Sequence, residues 1–205
     1  MMESGSVRFF DSQFQHQASA GEFGLNPFEA RALPHVHGKV VDFGCGLGNL
    51  ACAAAARGAQ VLALDASPAA IDSLRSRSGD GTLAIDARVA DLSDYVPEGK
   101  FDTVVAIGLF MFFPCPAARR QLARAMDAVR PGGTLIVNVL IEGTTFMGMF
   151  DKEAGYCLFD EDELPRTLSG WELLDDRVEQ FPAPENLVKR FRTTIARRRT
   201  PREPT

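Results

Sequence analysis

The sequence predicts a doubly wound α/β fold on a mostly parallel, seven-stranded sheet, and three observations carry that expectation. From residue 39 onward, short runs rich in valine, leucine and isoleucine alternate with helical stretches, the pattern of strands joined by crossover helices. The runs KVVDF, VLALD and TLIVNVL show almost no polar alternation, as expected of strands buried on both faces. A turn with three glycines, GCGLG at 44–48, follows the first run directly.

The elements follow in order. KVVDF is the first strand. Asn49-Leu50 opens an alanine-rich helix closed by Gly58, since alanine costs least inside a helix and glycine readily turns left-handed past its end. QVLALD is the second strand. Ser67 supplies an N-cap oxygen and Pro68 a preset first turn for the helix PAAIDSLRSR. TLAIDARVAD is the third strand and FDTVVAIG the fourth. Pro116 opens a helix running to Arg130, which Pro131-Gly132-Gly133 breaks before the fifth strand, TLIVNVL. DEDELPRTL reads as a short helix with an acidic cap. GWELLDDRVEQF and KRFRTTIARR read as two strands, antiparallel at one edge and joined by the turn PAPEN. The organisation expected is one domain over residues 37–199, an N-terminal extension over 1–36 and a disordered tail over 200–205. The extension carries Phe9, Phe10, Phe14, Phe23 and Phe28 among polar residues. Such a stripe suits either a helix packed on the core or a lid closing over a ligand.

Composition narrows the function. At 205 residues the chain is long enough to bury a core without staples. A net charge of −5 lacks the basic face that nucleic acid requires. The basic run Arg197-Arg198-Arg199 with Arg202 reads as a frayed, solvated end. Cys45, Cys52, Cys115 and Cys157 form no CxxC and have no paired histidines, so no metal site is expected, and reduced thiols in a cytoplasmic protein fit best. The N-terminus has no signal-peptide pattern, and no apolar run approaches the ~20 residues of a membrane helix.

The glycine loop carries the chemistry. In an open parallel sheet, ligands bind beyond the carboxyl ends of the strands. Asp42, Gly44, Gly46 and Gly48 give the pattern DxGxGxG. A dinucleotide loop aims a helix N-terminus at a pyrophosphate, which a carboxylate at the mouth would oppose. A cationic ligand welcomes it, and S-adenosylmethionine carries both an ammonium and a sulfonium. Asp65 ends the second strand, where a carboxylate can accept from both hydroxyls of a ribose, and Asp91-Leu92 ends the third, offering an acceptor for an adenine amino group and an apolar cover for its ring. A nicotinamide dinucleotide remains the rival ligand.

The segments VVDFGCGLGN, VLALDAS, VADLSDY, FDTVVAIG and RPGGTLIVNV, in that order, resemble the motifs of class I S-adenosylmethionine-dependent methyltransferases over roughly residues 38–140. The resemblance implies a Rossmann-like sheet of order 3-2-1-4-5-7-6 with the last strand antiparallel. It implies Asp42, Gly44, Cys45, Gly46 and Gly48 around the methionine moiety, Asp65 and Ala66 at the ribose, Asp91 and Leu92 at the adenine, and Ile107 beside the cofactor. GLFMFF, CLFDEDEL, GWELL and RFRTTIARR resemble more narrowly the tellurite-resistance methyltransferases. That family has a His-Arg pair and a further Arg in the turn before the last strand, whereas QFPAPENLVKR has no His and no Arg until Arg190. The expected activity is transfer of a methyl group to a small acceptor: a thiol, a metalloid oxyanion or another small nucleophile. A non-catalytic S-adenosylmethionine binder is the alternative, an NAD-dependent oxidoreductase a further one. Partners beyond the small acceptor are not expected, neither nucleic acid nor membrane, and the chain is expected as a monomer or homodimer. Methyl transfer needs in-line placement more than acid–base machinery, and no triad is found. Acceptor-side candidates are Phe110, Met111 and Phe112, with Phe113, after the fourth strand; Glu142 after the fifth; and His16 in the extension.

Overall fold

The computed structural model describes residues 5–201 apart from Asp80 and Lys152, with side chains from residue 10 onward. Phe9, Arg202 and the remainder of the expected tail lie outside these described residues and side chains. Helix α1 (Gly5–Ala20) and α2 (Pro27–Ala32) precede the sheet. Asn26 starts α2 by accepting from the backbone amides of Phe28 and Glu29, both at 2.9 Å, while Glu29 Oε2 accepts from Asn26 N at 2.8 Å. This reciprocal pair satisfies three donors that a helix start would otherwise leave open.

The sheet contains β1 (Lys39–Phe43), β2 (Gln60–Asp65), β3 (Ile85–Val89), β4 (Phe101–Ile107), β5 (Val129–Leu140), β6 (Glu172–Pro182) and β7 (Val188–Arg197). Its order is β3-β2-β1-β4-β5-β7-β6. The pairs β2–β3, β1–β2, β1–β4 and β4–β5 are parallel; β7 runs antiparallel to both β5 and β6. The expected order and the reversed last strand are both present. Crossover helices α3 (Asn49–Ala55), α4 (Pro68–Ser78) and α5 (Cys115–Ala128), with the short α6 (Glu163–Thr167), complete the described fold. One apolar layer, with Val41, Val104, Leu135 and Val137, meets α5; the other, with Val40, Val61, Val105 and Ile136, meets α3 and α4.

Three expectations need correction. The fifth strand begins at Val129 and α5 ends at Ala128, so Pro131-Gly132-Gly133 lies within an extended segment instead of ending the helix. The basic end is partly docked: Arg197 faces Glu172 at 3.4 Å, and Arg198 donates to the Val129 carbonyl at 2.8 Å and lies over the Trp171 ring. The thiols are not all reduced. Cys115 and Cys157 form a disulfide with their Cα atoms 4.6 Å apart, although 42 positions separate them in sequence. Spacing rules detect local clusters, whereas this pair is created by the loop after β5 folding back onto the start of α5.

Candidate active site at the carboxyl ends of the strands

A cavity of about 1450 Å³ opens at the carboxyl ends of β1–β5. A single-ligand pocket typically occupies ~300–1,000 Å³, so the space suits two ligands side by side. The parallel strands place Asp42, Asp65 and Asp91 on its wall, together with Gly44, Cys45, Gly46, Ala66, Leu92 and Ile107.

The loop is held by its neighbour strand. Gly44 N and Cys45 N both donate to the Leu64 carbonyl, at 2.8 and 3.0 Å. Asp65 Oδ2 accepts from Gly46 N at 2.8 Å, and Asp65 Oδ1 from Ser67 N at 2.9 Å. Each carboxylate oxygen has a second lone pair for a ligand. Gly46 is left-handed at φ 52°, and a Cβ there would meet the Phe14 ring at 3.1 Å. Gly48 acts differently. It does not line the cavity; it caps α3 at φ 71°, and a Cβ would press to 2.5 Å from Leu74. Cys45 is 6% exposed, and burial pushes its thiol well above the usual range, so it is no thiolate nucleophile.

The electrostatics are lopsided. Asp42 is 5% exposed, and its carboxyl is pushed up to about 8, first by burial and then by the charges of Glu29 and Asp65. Burial likewise raises Glu29 and Asp65, against backbone hydrogen bonds that lower them. Three crowded carboxyl groups with no ion-pair partner among the described residues are an unfavourable set on their own. A ligand bearing positive charge completes it. Asp91, by contrast, is exposed and accepts from Ser93 N and Oγ at 2.9 and 2.7 Å. Leu92 is 5% exposed and belongs to the core as well as to the cavity wall.

The other end of the cavity is apolar. Met111, Phe112 and Phe113 line it, with Phe10, Phe28, Phe146, Met149 and Phe191. Phe10 meets Phe112 edge-on at 4.9 Å. Phe110 is in the core and does not line the cavity, because the tight turn Phe110–Phe112 sends its first ring inward. Glu142 and His16 are exposed and lie outside the cavity; Glu142 instead presents its carbonyl to Arg190 Nη1 at 2.7 Å. Sequence reading missed Asn138, Lys189 and Phe191, whose positions depend on β7 inserting beside β5. It also missed Asp11, which fastens α1 over the cavity by accepting from Ser67 Oγ and, at 3.3 Å, from Ala69 N at the start of α4.

Residues 40–133 match the model of a methyltransferase domain. The ubiquinone biosynthesis O-methyltransferase of Xanthomonas campestris pv. campestris (strain B100) is 35% identical over 111 residues, covering 53% of this chain and 45% of its own length. Its counterpart from Xanthomonas euvesicatoria pv. vesicatoria (strain 85-10) is 34% identical over 122 residues, 57% of this chain and 50% of its own. The chain thus spans about half the length of the curated relatives it matches. Among solved structures, TehB from Haemophilus influenzae aligns with a TM-score of 0.73 at 19% identity, over 85% of this chain and 63% of that one. The N-methyltransferase NodS from Bradyrhizobium japonicum WM9, in complex with S-adenosylhomocysteine, aligns with a TM-score of 0.66 at 13% identity, over 92% and 98%. These two likenesses are likenesses of fold. Residues 40–133 thus match a methyltransferase domain, and the strand order around them is the one expected of the class I methyltransferase fold.

Proposed function

We propose that the chain transfers a methyl group from S-adenosylmethionine to a small, largely apolar acceptor. The observation that carries the cofactor half is the buried pair Asp42 and Asp65, with half-buried Glu29, facing one cavity and none of them in an ion pair among the described residues. When bound, the cofactor supplies a methyl group on a sulfonium, which passes to an acceptor lone pair as the carbon–sulfur bond breaks and S-adenosylhomocysteine is left. The protein's part is placement. Gly44 and Gly46 let the backbone approach the methionine moiety, Cys45 is a small packing residue, and Gly48 sets the direction of α3. Asp42 would face the ammonium, Asp65 and Ala66 the ribose, Asp91 and Leu92 the adenine, and Ile107 would lie beside the cofactor. The helix α1 serves as the lid that keeps water out, its Phe10 and Phe14 covering the two halves of the cavity.

The acceptor half favours a carbon-based thiol or phenol over a metalloid oxyanion. An oxyanion calls for several convergent cations, and Lys189 is the single cationic side chain among the described cavity residues. Met111 and Phe112 supply the apolar wall. A thiol reaches the site partly ionised near neutral pH, and a phenol gives its proton to water as its oxygen takes the methyl group, so neither requires a base among the described acceptor-side residues. The curated relatives, O-methyltransferases of ubiquinone biosynthesis, support an oxygen acceptor by similarity. Thermal unfolding with S-adenosylhomocysteine tests the cofactor half: saturation at ~100 Kd adds about 2.7 kcal/mol, a rise of roughly 5–10 °C. NAD should give none. Release of S-adenosylhomocysteine with a panel of thiols, phenols, tellurite and selenite tests the acceptor half. Turnover only with the two oxyanions would overturn the acceptor reading, and no turnover at all would leave a cofactor-binding protein without this activity.

A further inference from the structure

One face of β7 connects the floor of the cavity to its rim. In the β5–β7 register Asn138 lies opposite Thr193 and Leu140 opposite Phe191. Lys189, Phe191 and Thr193 alternate along one strand and therefore share a face. Thr193 Oγ1 accepts from Asn138 Nδ2 at 2.9 Å, which fixes that face as the one carrying Asn138. Phe28 packs on Phe191 at 5.0 Å between centroids. The strip thus runs from a buried carboxamide through an aromatic wall to a lysine about 13 Å up the strand, at ~3.3 Å per residue.

Both polar ends are incomplete. Asn138 is 1% exposed, lines the cavity, and its Oδ1 has no partner among the described residues. A buried carbonyl oxygen left open costs roughly 1–3 kcal/mol, so a donor there is worth having. Lys189 Nζ lies 5.2 Å from the Phe146 ring centroid and has no carboxylate within ion-pair distance among the described residues. On the same face, Glu179, opposite Phe191 in the β6–β7 register, is already held by Arg31. The cavity is thus acidic at the β1–β3 end and carries its only described cation at the opposite rim.

The geometry points to an amphipathic aromatic acid as the acceptor: Asn138 accepts a hydrogen bond from its hydroxyl or thiol, the packed pair Phe191 and Phe28 walls its ring, and Lys189 pairs with its carboxylate. This rests on the methyltransferase reading for what happens to the acceptor, but not for whether it binds. A carboxylate also keeps such a molecule out of the acidic cofactor end, so one charge sets its orientation.

The test is equilibrium binding of 3-(4-hydroxyphenyl)propanoate and its methyl ester by calorimetry, with and without S-adenosylhomocysteine. In the wild type the acid should bind at least tenfold more tightly than the ester. Lys189→Gln should bring the two within twofold, Lys189→Arg should keep the preference, and both variants should bind S-adenosylhomocysteine as the wild type does. Asn138→Leu should erase the preference for this acid over 3-phenylpropanoate. Equal or tighter binding of the ester, a preference that survives Lys189→Gln, or no binding of the acid overturns the proposal. Failure of S-adenosylhomocysteine to bind, with the acid–ester preference intact, sinks the methyltransferase reading and leaves the Lys189 subsite standing.

Discussion

The carboxyl group of Asp42 should make cofactor binding depend on pH in a range where exposed aspartates do not titrate. Burial, then the charges of Glu29 and Asp65, push it up to about 8. A cationic ligand beside it favours the ionised form, so binding near neutral pH should release a proton. If only the ionised form binds well, the ionised fraction sets the affinity: about 3% at pH 6.5 and about 76% at pH 8.5, a change of roughly 25-fold. The ligand's own α-amino group titrates near ~8, so the measure is the difference between wild type and Asp42→Asn. Calorimetry of S-adenosylmethionine binding at pH 7, in buffers of different ionisation enthalpy, counts the protons directly. The wild type should release close to one more proton than Asp42→Asn. Identical proton counts, with parallel pH–affinity curves from pH 6 to 8.5, would refute the idea that Asp42 is held neutral in the free protein. The same shift acts on stability. The folded carboxyl titrates above its ordinary value of 3.8, so its stabilising contribution is complete below that value and is lost as pH rises toward about 8. Asp42→Asn, which cannot ionise, should therefore unfold at a higher temperature than wild type, and the gap should widen from pH 6 to 8.5.

Other outcomes follow from single contacts. Gly48→Ala forces a Cβ to 2.5 Å from the buried Leu74 side chain at φ 71° and should cost about 2–4 kcal/mol in urea unfolding. Gly46→Ala pushes at the Phe14 ring instead, so it should chiefly loosen α1, seen as faster amide exchange over residues 10–20, while weakening S-adenosylhomocysteine binding. Asp11→Ala removes the acceptor for Ser67 Oγ and Ala69 N, and should speed proteolysis within α1 while costing roughly 0.5–2 kcal/mol. Reducing the Cys115–Cys157 bridge reopens a 42-residue separation, worth up to about 4 kcal/mol on chain entropy; a thiol titration giving four free cysteines before reduction would show the bridge is not formed.

What the sequence determined by itself is local and periodic. The apolar runs specified buried strands, and parallel strands bring their carboxyl ends to one edge, so Asp42, Asp65 and the glycine turn could be placed together without knowing the sheet order. Ser67 as the cap of α4 was legible for the same reason: its oxygen accepts from Ala70 N, three residues away. The tertiary structure alone decided the rest, because each missing fact joins positions far apart in the chain. Glu29 raises Asp42 only because α2 packs on α3; the bridge exists only because the loop after β5 returns to α5; Asn138 meets Thr193 only because β7 enters between β5 and β6. Phe110 and Phe112 are identical in type and two residues apart, yet a tight turn sends one into the core and the other into the cavity. Periodicity constrains which face a residue occupies, whereas which elements press against that face depends on long-range packing of the whole chain.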